Sequence, residues 1–343
     1  ALTQYETCRR ILAEELRIEP ASETAPLYDR IRTGRLDREA WQQDLADLPS
    51  SEARPPFLSA AATHDYVPIP FVARERELAQ LDGLLDLALN GQGRVAFVEG
   101  EAGSGKSALV QEFAHRAQDA QADLVVASGN CNAHTGIGDP YLPFREILGL
   151  LTGDVEARWA AGEISQEHAR RLWALIPHST QALVNDGPDL IDILIPSAPL
   201  IARSQAAIPA AGWLTDLEEL VAQRKAGPGG ADLLQSDLFE QYTRLLQALA
   251  RGNPLLLVLD DLQWADAGSL NLLFHLGRRL EHSPILIVGI YRPADVAMGR
   301  DGERHPLEPV VGEFQRRFGQ VQVELRQAES RRFVKAFLLS LIH

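Results

Sequence analysis

Lysine is nearly absent from this chain of 343 residues. Only Lys106, Lys225 and Lys335 carry an ammonium, and the formal net charge is −14. An acidic balance with no run of Lys or Arg argues against a broad nucleic-acid-binding face. The chain holds two cysteines, Cys8 and Cys131, far apart and without other metal-ligating residues beside them. Reduced thiols in a cytoplasmic protein are the expectation, not a disulfide framework or a zinc site. No apolar run approaches the ~18 residues that a membrane span needs. No charged, apolar and small-residue succession of the signal-peptide kind opens the sequence. A membrane partner is therefore not expected. What is present is ordinary for a globular chain, with 45% hydrophobic and 23% charged residues. The length allows one large domain or two to three smaller ones.

One of the three lysines stands in the most informative stretch of the sequence. Gly100-Glu101-Ala102-Gly103-Ser104-Gly105-Lys106-Ser107 fits G-x-x-x-x-G-K-[ST], the phosphate-binding loop. Chance produces this pattern in about one chain of such length in a hundred, given average glycine usage. The context narrows it further. The apolar run Val95-Ala96-Phe97-Val98 enters the loop and reads as a buried strand, and Ala108-Leu109-Val110 leaves it with helical apolar spacing through Phe113. Glycines let backbone N–H groups turn inward around phosphate oxygens, and a helix N-terminus adds partial positive charge. The expected phosphate-binding set is Gly100, Gly103, Ser104, Gly105, Lys106, Ser107 and Ala108. Lys106 reaches toward the β- and γ-phosphates, and the Ser107 hydroxyl is a Mg²⁺ ligand. No N-K-x-D guanine motif occurs, which favours ATP over GTP.

Strands and helices alternate after the loop. Leu124-Val125-Val126-Ala127 reads as a second strand and Tyr141-Leu142-Pro143-Phe144-Arg145-Glu146 as a helix start. Residues 151–235 alternate helical stretches with breaks at Ile176-Pro177, Gly187-Pro188, Ile195-Pro196 and the glycines at 227–230. That is too long for a connection in a compact domain and reads as a helical insertion. Residues 233–249 form an amphipathic helix. Leu255-Leu256-Leu257-Val258-Leu259 is an apolar run that ends in Asp260-Asp261, followed by a helix at 269–279 and a second run, residues 285–290. Runs of this kind suit strands buried on both faces, and their alternation with helices implies an α/β, doubly wound parallel sheet. A last strand is expected at 321–325 and a helix from Ser330.

Binding a triphosphate and hydrolysing it make different demands. Hydrolysis needs a second Mg²⁺ contact, a group that orients water and positive charge near the γ-phosphate. Asp260, closing its apolar strand, is the expected acid for Mg²⁺. Asp261 beside it is positioned to orient or polarise water. Asp-Asp pairs after strands also serve as caps and turns, but a phosphate-binding loop upstream favours the Walker B reading. Arg292, directly after the run 285–290, is the expected γ-phosphate sensor. Asp266 is expected to cap the next helix, and Trp264 to pack against the sheet.

Residues 1–33 carry two helical patterns broken at Ile18-Glu19-Pro20-Ala21-Ser22. Two helices alone bury too little to stand as a domain. The phrase Tyr5-Glu6-Thr7-Cys8-Arg9-Arg10-Ile11-Leu12-Ala13-Glu14-Glu15-Leu16, with Ile18-Glu19-Pro20 and Leu27-Tyr28-Asp29-Arg30-Ile31, resembles the end of the bacterial transcriptional activator domain of SARP-type regulators. A generic helical-repeat (TPR-like) hairpin shares the same helix-pair logic. Residues 37–69, with Pro55-Pro56 and Pro68-Ile69-Pro70, read as a linker. The chain opens at Ala1 within a helical pattern and stops at His343 just after the apolar helical stretch 333–342, and is expected to be a segment of a longer polypeptide.

Phe71-Val72-Ala73-Arg74-Glu75-Arg76-Glu77-Leu78 opens a further helix. The phrase resembles the F-V-G-R-E-x-E-L entry of signal-transduction ATPases with numerous domains (the STAND class). That resemblance assigns Val72 and Arg74 to the nucleotide pocket near the adenine, with Ala73 replacing the usual Gly. Together with the phosphate-binding loop, the 141–146 phrase, Leu255 to Asp266 and Ile285 to Pro293, it makes residues 70–320 similar to the ATPase module of the LuxR-type large ATP-binding regulators and the maltose-regulon activator. Leu262-Gln263-Trp264-Ala265-Asp266 matches the end of the family's D-D-x-x-W-A-D phrase.

The resemblance implies an AAA-like P-loop NTPase fold at 70–320, preceded by the end of the activator domain (1–36) and followed by the start of a helical region (321–343). It implies a slow ATPase switch with ATP and Mg²⁺ as cofactors, controlled by an unidentified inducer and self-associating on activation. DNA would be contacted only through a domain outside this chain. Two alternatives share the same motifs. One is an ATPase module fused to a cyclase or kinase, which the activator-type hairpin disfavours. The other is an ATP-driven remodeller, disfavoured by the acidic balance and the Asp-Asp pair.

Overall fold

Four apolar runs become the four longer strands of one parallel sheet, because each is covered on both faces. β1 (Arg94–Glu99), β2 (Val125–Asn130), β3 (Leu255–Asp260), β4 (Ile285–Tyr291) and the short β5 (Gln322–Glu324) lie in the order β2-β3-β4-β1-β5. This computed structural model describes residues 74–131, 140–208, 211–226, 234–299 and 304–325. The activator-type hairpin, the linker at 37–69, Val72 and the helix expected from Ser330 lie outside them.

Alternation along each strand sorts side chains into two clusters. Ala96, Val98, Val126, Leu256, Leu286 and Ile290 point to one face, where α1 (Glu75–Leu89) and α2 (Lys106–Ala120) cover them. Val95, Phe97, Ala127, Leu257, Leu259 and Ile287 point to the other. There they meet α3 (Leu142–Leu151) and, later in the chain, the helices that precede and follow β3 and β4. Burying both faces of a strand removes the polar alternation that a half-exposed sheet shows.

The residues between β2 and β3 form a run of helices. After α3 come α4 (Glu156–Ala160), α5 (Gln166–Ala174), α6 (Ile176–Asp186), a 3₁₀ turn at Pro188–Leu190, α7 (Ser197–Ala207), α8 (Gly212–Ala226) and α9 (Gln235–Gly252). Prolines punctuate this run as their chemistry dictates. Pro143 and Pro177 occupy first turns, where a missing N–H costs nothing, and Pro196 stands at the N-cap of α7. Asp189 fastens the run to itself: it is ion-paired with Arg224 of α8 and accepts from the Gln241 amide of α9. The apolar faces of these helices merge with the sheet face carrying Phe97 and Leu257 in one cluster.

α10 (Ala267–Gly277) follows β3, α11 (Pro293–Met298) follows β4, and α12 (Leu307–Phe318) leads to β5. α10 begins two residues earlier than its apolar spacing indicates, because Asp266 accepts a 2.9 Å hydrogen bond from the Ser269 N–H and starts the helix there. Connections β2 to β3, β3 to β4 and β4 to β5 all step in one direction across the sheet, with α3, α9, α10 and α12 packed in the same cluster. The connection from β1 to β2 steps the other way and carries α2 on the opposite face. Right-handed crossovers require this exchange of faces when direction reverses. In open α/β sheets the crevice at such a reversal, beyond the strand carboxyl ends, is where ligands bind.

Candidate functional site

The loop between β1 and α2 lies at that carboxyl edge. Gly103 and Gly105 have φ of +74° and +86°, a left-handed conformation in which a Cβ is strained. Gly105 is also the N-cap of α2, so no side chain occupies the helix N-terminus. A Cβ at Gly100 would stand 2.8 Å from Ser104 Oγ and 3.0 Å from the Leu325 carbonyl oxygen, which explains glycine at the loop's first position. The Ser104 hydroxyl is buried and has no hydrogen-bond partner. Lys106, 7% exposed, donates to the carbonyls of Gly100 at 2.8 Å and Glu101 at 2.9 Å. An uncapped helix end, an unpaired buried hydroxyl and an ammonium folded over its own loop suit the polyanion the motif implies. Ala108 follows in the first turn of α2, half-buried.

Ser107 joins the loop to β3. Its Oγ donates to Asp260 Oδ2 at 2.7 Å, while Asp260 Oδ1 accepts the Asp261 N–H at 2.8 Å. Burial pushes the Asp260 carboxyl above the ordinary carboxylate range, partly offset by the Ser107 hydrogen bond. Burial, reinforced by the Arg292 charge, holds the Lys106 ammonium below its ordinary value, partly offset by Asp260 and Asp261. Each charge is thus short of water and receptive to a compensating ligand. No group of three or more His, Cys, Asp or Glu side chains comes together as a metal site among the described residues. One hydroxyl and one carboxylate suit Mg²⁺, which keeps several waters and takes phosphate oxygens as ligands.

β4 lies between β3 and β1, so the residue leaving it stands between the loop and the acids. Arg292 Nη2 is 3.6 Å from Asp261 Oδ1, and its Nη1 is 3.9 Å from Asp295. Asp261 adopts φ +56°, ψ +42°, a left-handed conformation costing roughly 1–2 kcal/mol for most residues and less for Asp. That twist turns the chain into a 3₁₀ turn at Leu262–Trp264. Trp264 is partly buried against the core, and Asp266, besides capping α10, accepts the Tyr141 N–H at 3.3 Å. The 141–146 phrase is therefore tied to the segment that follows β3. Arg74, at the N-cap of α1, pairs with Glu77 at 3.0 Å.

Two clusters escape a reading from the sequence. Gln263, inside the 3₁₀ turn, is 2% exposed and bonds Asp261, Arg292 and His305 at once. At the neighbouring strand ends, Tyr291 hydrogen-bonds Glu99, and Gln322 of β5 donates to both at 3.2 Å. This binds β4, β1 and β5 together immediately before the phosphate loop. Burial and the Glu99 carboxylate push the Tyr291 phenol up, so it remains a donor. The local sign of the second cluster was a polar side chain, Glu99, at the end of an otherwise apolar run.

Comparison with known proteins bears on the same segment. The AAA ATPase domain family matches residues 70–288. An uncharacterized protein of Rhizobium meliloti (strain 1021) is 24% identical over 229 residues, 66% of this chain but 19% of that relative's length. Among solved structures, the Orc1 protein of Aeropyrum pernix, in complex with DNA, aligns over 81% of this chain and 52% of its own, at 18% identity and a TM-score of 0.40. Cdc6p of Pyrobaculum aerophilum aligns over 80% and 51%, at 17% identity and the same TM-score. With the family matched over more than half of its residues, and with a parallel sheet that sets the phosphate loop beside Asp260 at the end of β3, this chain belongs to the AAA ATPase domain family.

Proposed function

We propose that this chain is an ATP switch, in which Mg²⁺·ATP is held between the phosphate loop and Asp260 and is hydrolysed slowly. The observation that carries the reading is the 2.7 Å hydrogen bond from Ser107 to Asp260, which sets both proposed Mg²⁺ ligands side by side. Bound Mg²⁺ would neutralise phosphate charge between them. Lys106 exchanges two carbonyl partners for phosphate oxygens, and the N–H groups at the start of α2 hold the same anion. Asp261 orients the attacking water. Arg292, within reach of Asp261, supplies positive charge where the γ-phosphate would lie. Slow turnover follows from Asp at position 261, whose carboxylate reaches less far than the glutamate of many ATPases, and from the contacts to Gln263 and Arg292 that already occupy it.

The switch serves a transcriptional regulator in this reading, with ATP and an inducer favouring an active, self-associated state. The sequence phrases at 5–31 and 70–320 support it. DNA contact then belongs to a part of the protein outside this chain, and Val72 and Arg74 line the adenine side of the pocket. ATP binding by wild-type protein and by Lys106→Ala tests the site. Unchanged affinity in the variant would remove the assignment. In a single-turnover assay Asp261→Asn should bind ATP and lose all but a residual rate of cleavage. For the regulator, DNA affinity should appear only when the chain is extended upstream.

A further inference from the structure

Gln263 is a buried amide whose two side-chain polar atoms and main-chain carbonyl each have a partner. Its Nε2 donates to Asp261 Oδ1 at 2.7 Å, its Oε1 accepts the Arg292 N–H at 3.1 Å, and its main-chain carbonyl accepts from His305 Nε2 at 3.0 Å. The two side-chain partners fix the amide's orientation. Reversed, it would set an oxygen against a carboxylate and an NH₂ against an N–H. The His305 ring is fixed as well, because its Nδ1 accepts the Leu307 N–H and leaves Nε2 to carry the proton. Beneath the turn, a Cβ at Gly289 of β4 would stand 2.5 Å from Leu262 Cδ1, so the turn rests directly on the strand that delivers Arg292.

We infer that Gln263 is a positioning residue for ATP hydrolysis, joining the carboxylate of Asp261 and the main chain of Arg292 into one hydrogen-bonded unit. The inference rests on the hydrolytic reading above. It goes beyond it in naming a residue that touches neither phosphate nor water yet sets the aim of the two groups that do. A carboxylate held at one oxygen by a buried donor keeps its other oxygen turned to the site. An arginine whose backbone is tied to the same amide keeps its guanidinium 3.6 Å from the held oxygen, Asp261 Oδ1. His305 extends the unit to the start of α12, so a shift of that helix is felt at Asp261.

A bland alternative is that Gln263 only stabilises its turn. The two readings differ in kinetics. Gln263→Ala and the near-isosteric Gln263→Glu, which keeps an acceptor for the Arg292 N–H but turns a carboxylate on Asp261, are compared with wild type by steady-state ATP hydrolysis, nucleotide affinity and thermal melting. The expected result is a kcat loss of roughly tenfold to a hundredfold, the scale of a small misplacement of reacting groups, with KM and ATP affinity within about twofold of wild type. In an Asp261→Asn background the added Gln263→Ala should cost less than about threefold, since residues acting as a unit are not additive. Equal losses in both backgrounds, or an unchanged kcat in Gln263→Glu, would overturn the inference. Wild-type protein no faster than Asp261→Asn would instead bring down the hydrolytic reading itself. Should Gln263→Ala fail to fold, Gln263→Glu alone and in the Asp261→Asn background decides the matter on the same criteria.

Discussion

The Ser107 hydroxyl and the Asp260 carboxylate, 153 positions apart in the chain, meet through a hydrogen bond of 2.7 Å. Neither residue is drawn there by the other. Ser107 stands in the first turn of α2, and Asp260 ends a strand set two places from β1 in the sheet. The crossing of α2 to one face and of the later helices to the other opens the edge at which both arrive. Without a bound cation, that hydrogen bond is the partial replacement for hydration that Asp260 has lost.

Asp260→Asn should therefore stabilise the nucleotide-free protein at neutral pH. Burial raises the folded-state pKa of Asp260 above its unfolded value near 3.9. Between those two values the folded state holds the proton more tightly, so stability falls as pH rises through the window and stays lower above it. Asparagine keeps the shape without the charge: Oδ1 retains the Asp261 N–H and Nδ2 faces Ser107 Oγ. Melting at pH 7 should rise in the variant, at about 2–4 °C per kcal/mol for a domain of this size, and the difference should shrink as pH falls through the window. Addition of Mg²⁺ and ATP should lift wild type well above the variant. A variant that melts lower than wild type without nucleotide would contradict the account of Asp260.

Lys106 makes the opposite test at alkaline pH. Its ammonium is held below its ordinary value in the free protein, chiefly by burial and next by Arg292, whereas phosphate contact favours the charged form. Binding ATP then takes up a proton once pH passes the lowered value. ATP affinity should decline on the alkaline side with a slope approaching one proton, beginning below the usual lysine range. Lys106→Ala should bind weakly with no such slope. Calorimetry in two buffers of different ionisation heat detects the proton directly, and an equal heat in both at the alkaline end would contradict the assignment.

How far the molecule was legible from its sequence follows from which faces carry a pattern. The strand cores at 95–98, 255–259 and 285–290 were legible because burial on both faces leaves only apolar residues. The place of the loop at 100–107, between strand and helix, was legible because glycine and lysine stand at spacings phosphate chemistry requires, and Asp260's place at a strand end because an acid closes an apolar run. Gln263 was not, since a polar residue in a turn reads as solvated until β4 and His305, 42 positions away, are seen to enclose it. Sheet order was not legible either. The cores of β1, β3 and β4 are alike in being apolar, so nothing in their own residues sets β4 between β1 and β3. The breaks at Pro177, Pro188 and Pro196 marked helix boundaries between β2 and β3, but nothing in their pattern indicated that these helices share one apolar cluster with the sheet.

Gly277→Ala should destabilise the fold while sparing the phosphate site. Gly277 ends α10 where that helix crosses α12, and an added Cβ would enter the Phe314 ring and approach Val95 Cγ2 to 2.8 Å. Phe314 is fully buried and stacks on Phe97, 6.3 Å between centroids, so neither ring has room to retreat. Overpacking of this kind costs about 1–3 kcal/mol. Chemical denaturation should show a lower midpoint with an unchanged slope, and the folded variant should keep wild-type ATP affinity.

Arg292→Ala should weaken the preference for ATP over ADP while leaving ADP affinity intact. The guanidinium sits at the end of β4 with 36% of its side chain exposed, tethered loosely to Asp261 at 3.6 Å and Asp295 at 3.9 Å. Loosely paired and half-solvated, it can turn toward a third phosphate without leaving a buried charge behind, which a tightly buried pair would not permit. Charge-assisted hydrogen bonds to phosphate oxygens contribute about 1.5–3 kcal/mol each, so a preference of roughly tenfold to a hundredfold for ATP is at stake. Arg292→Lys should recover only part of it, because a single ammonium does not reproduce the planar fork. Competition of ADP and ATP for a fluorescent nucleotide measures the ratio. If Arg292→Ala kept the wild-type ratio, the arginine would be serving Asp261 and Asp295 alone, and recognition of the γ-phosphate would have to come from the loop lysine.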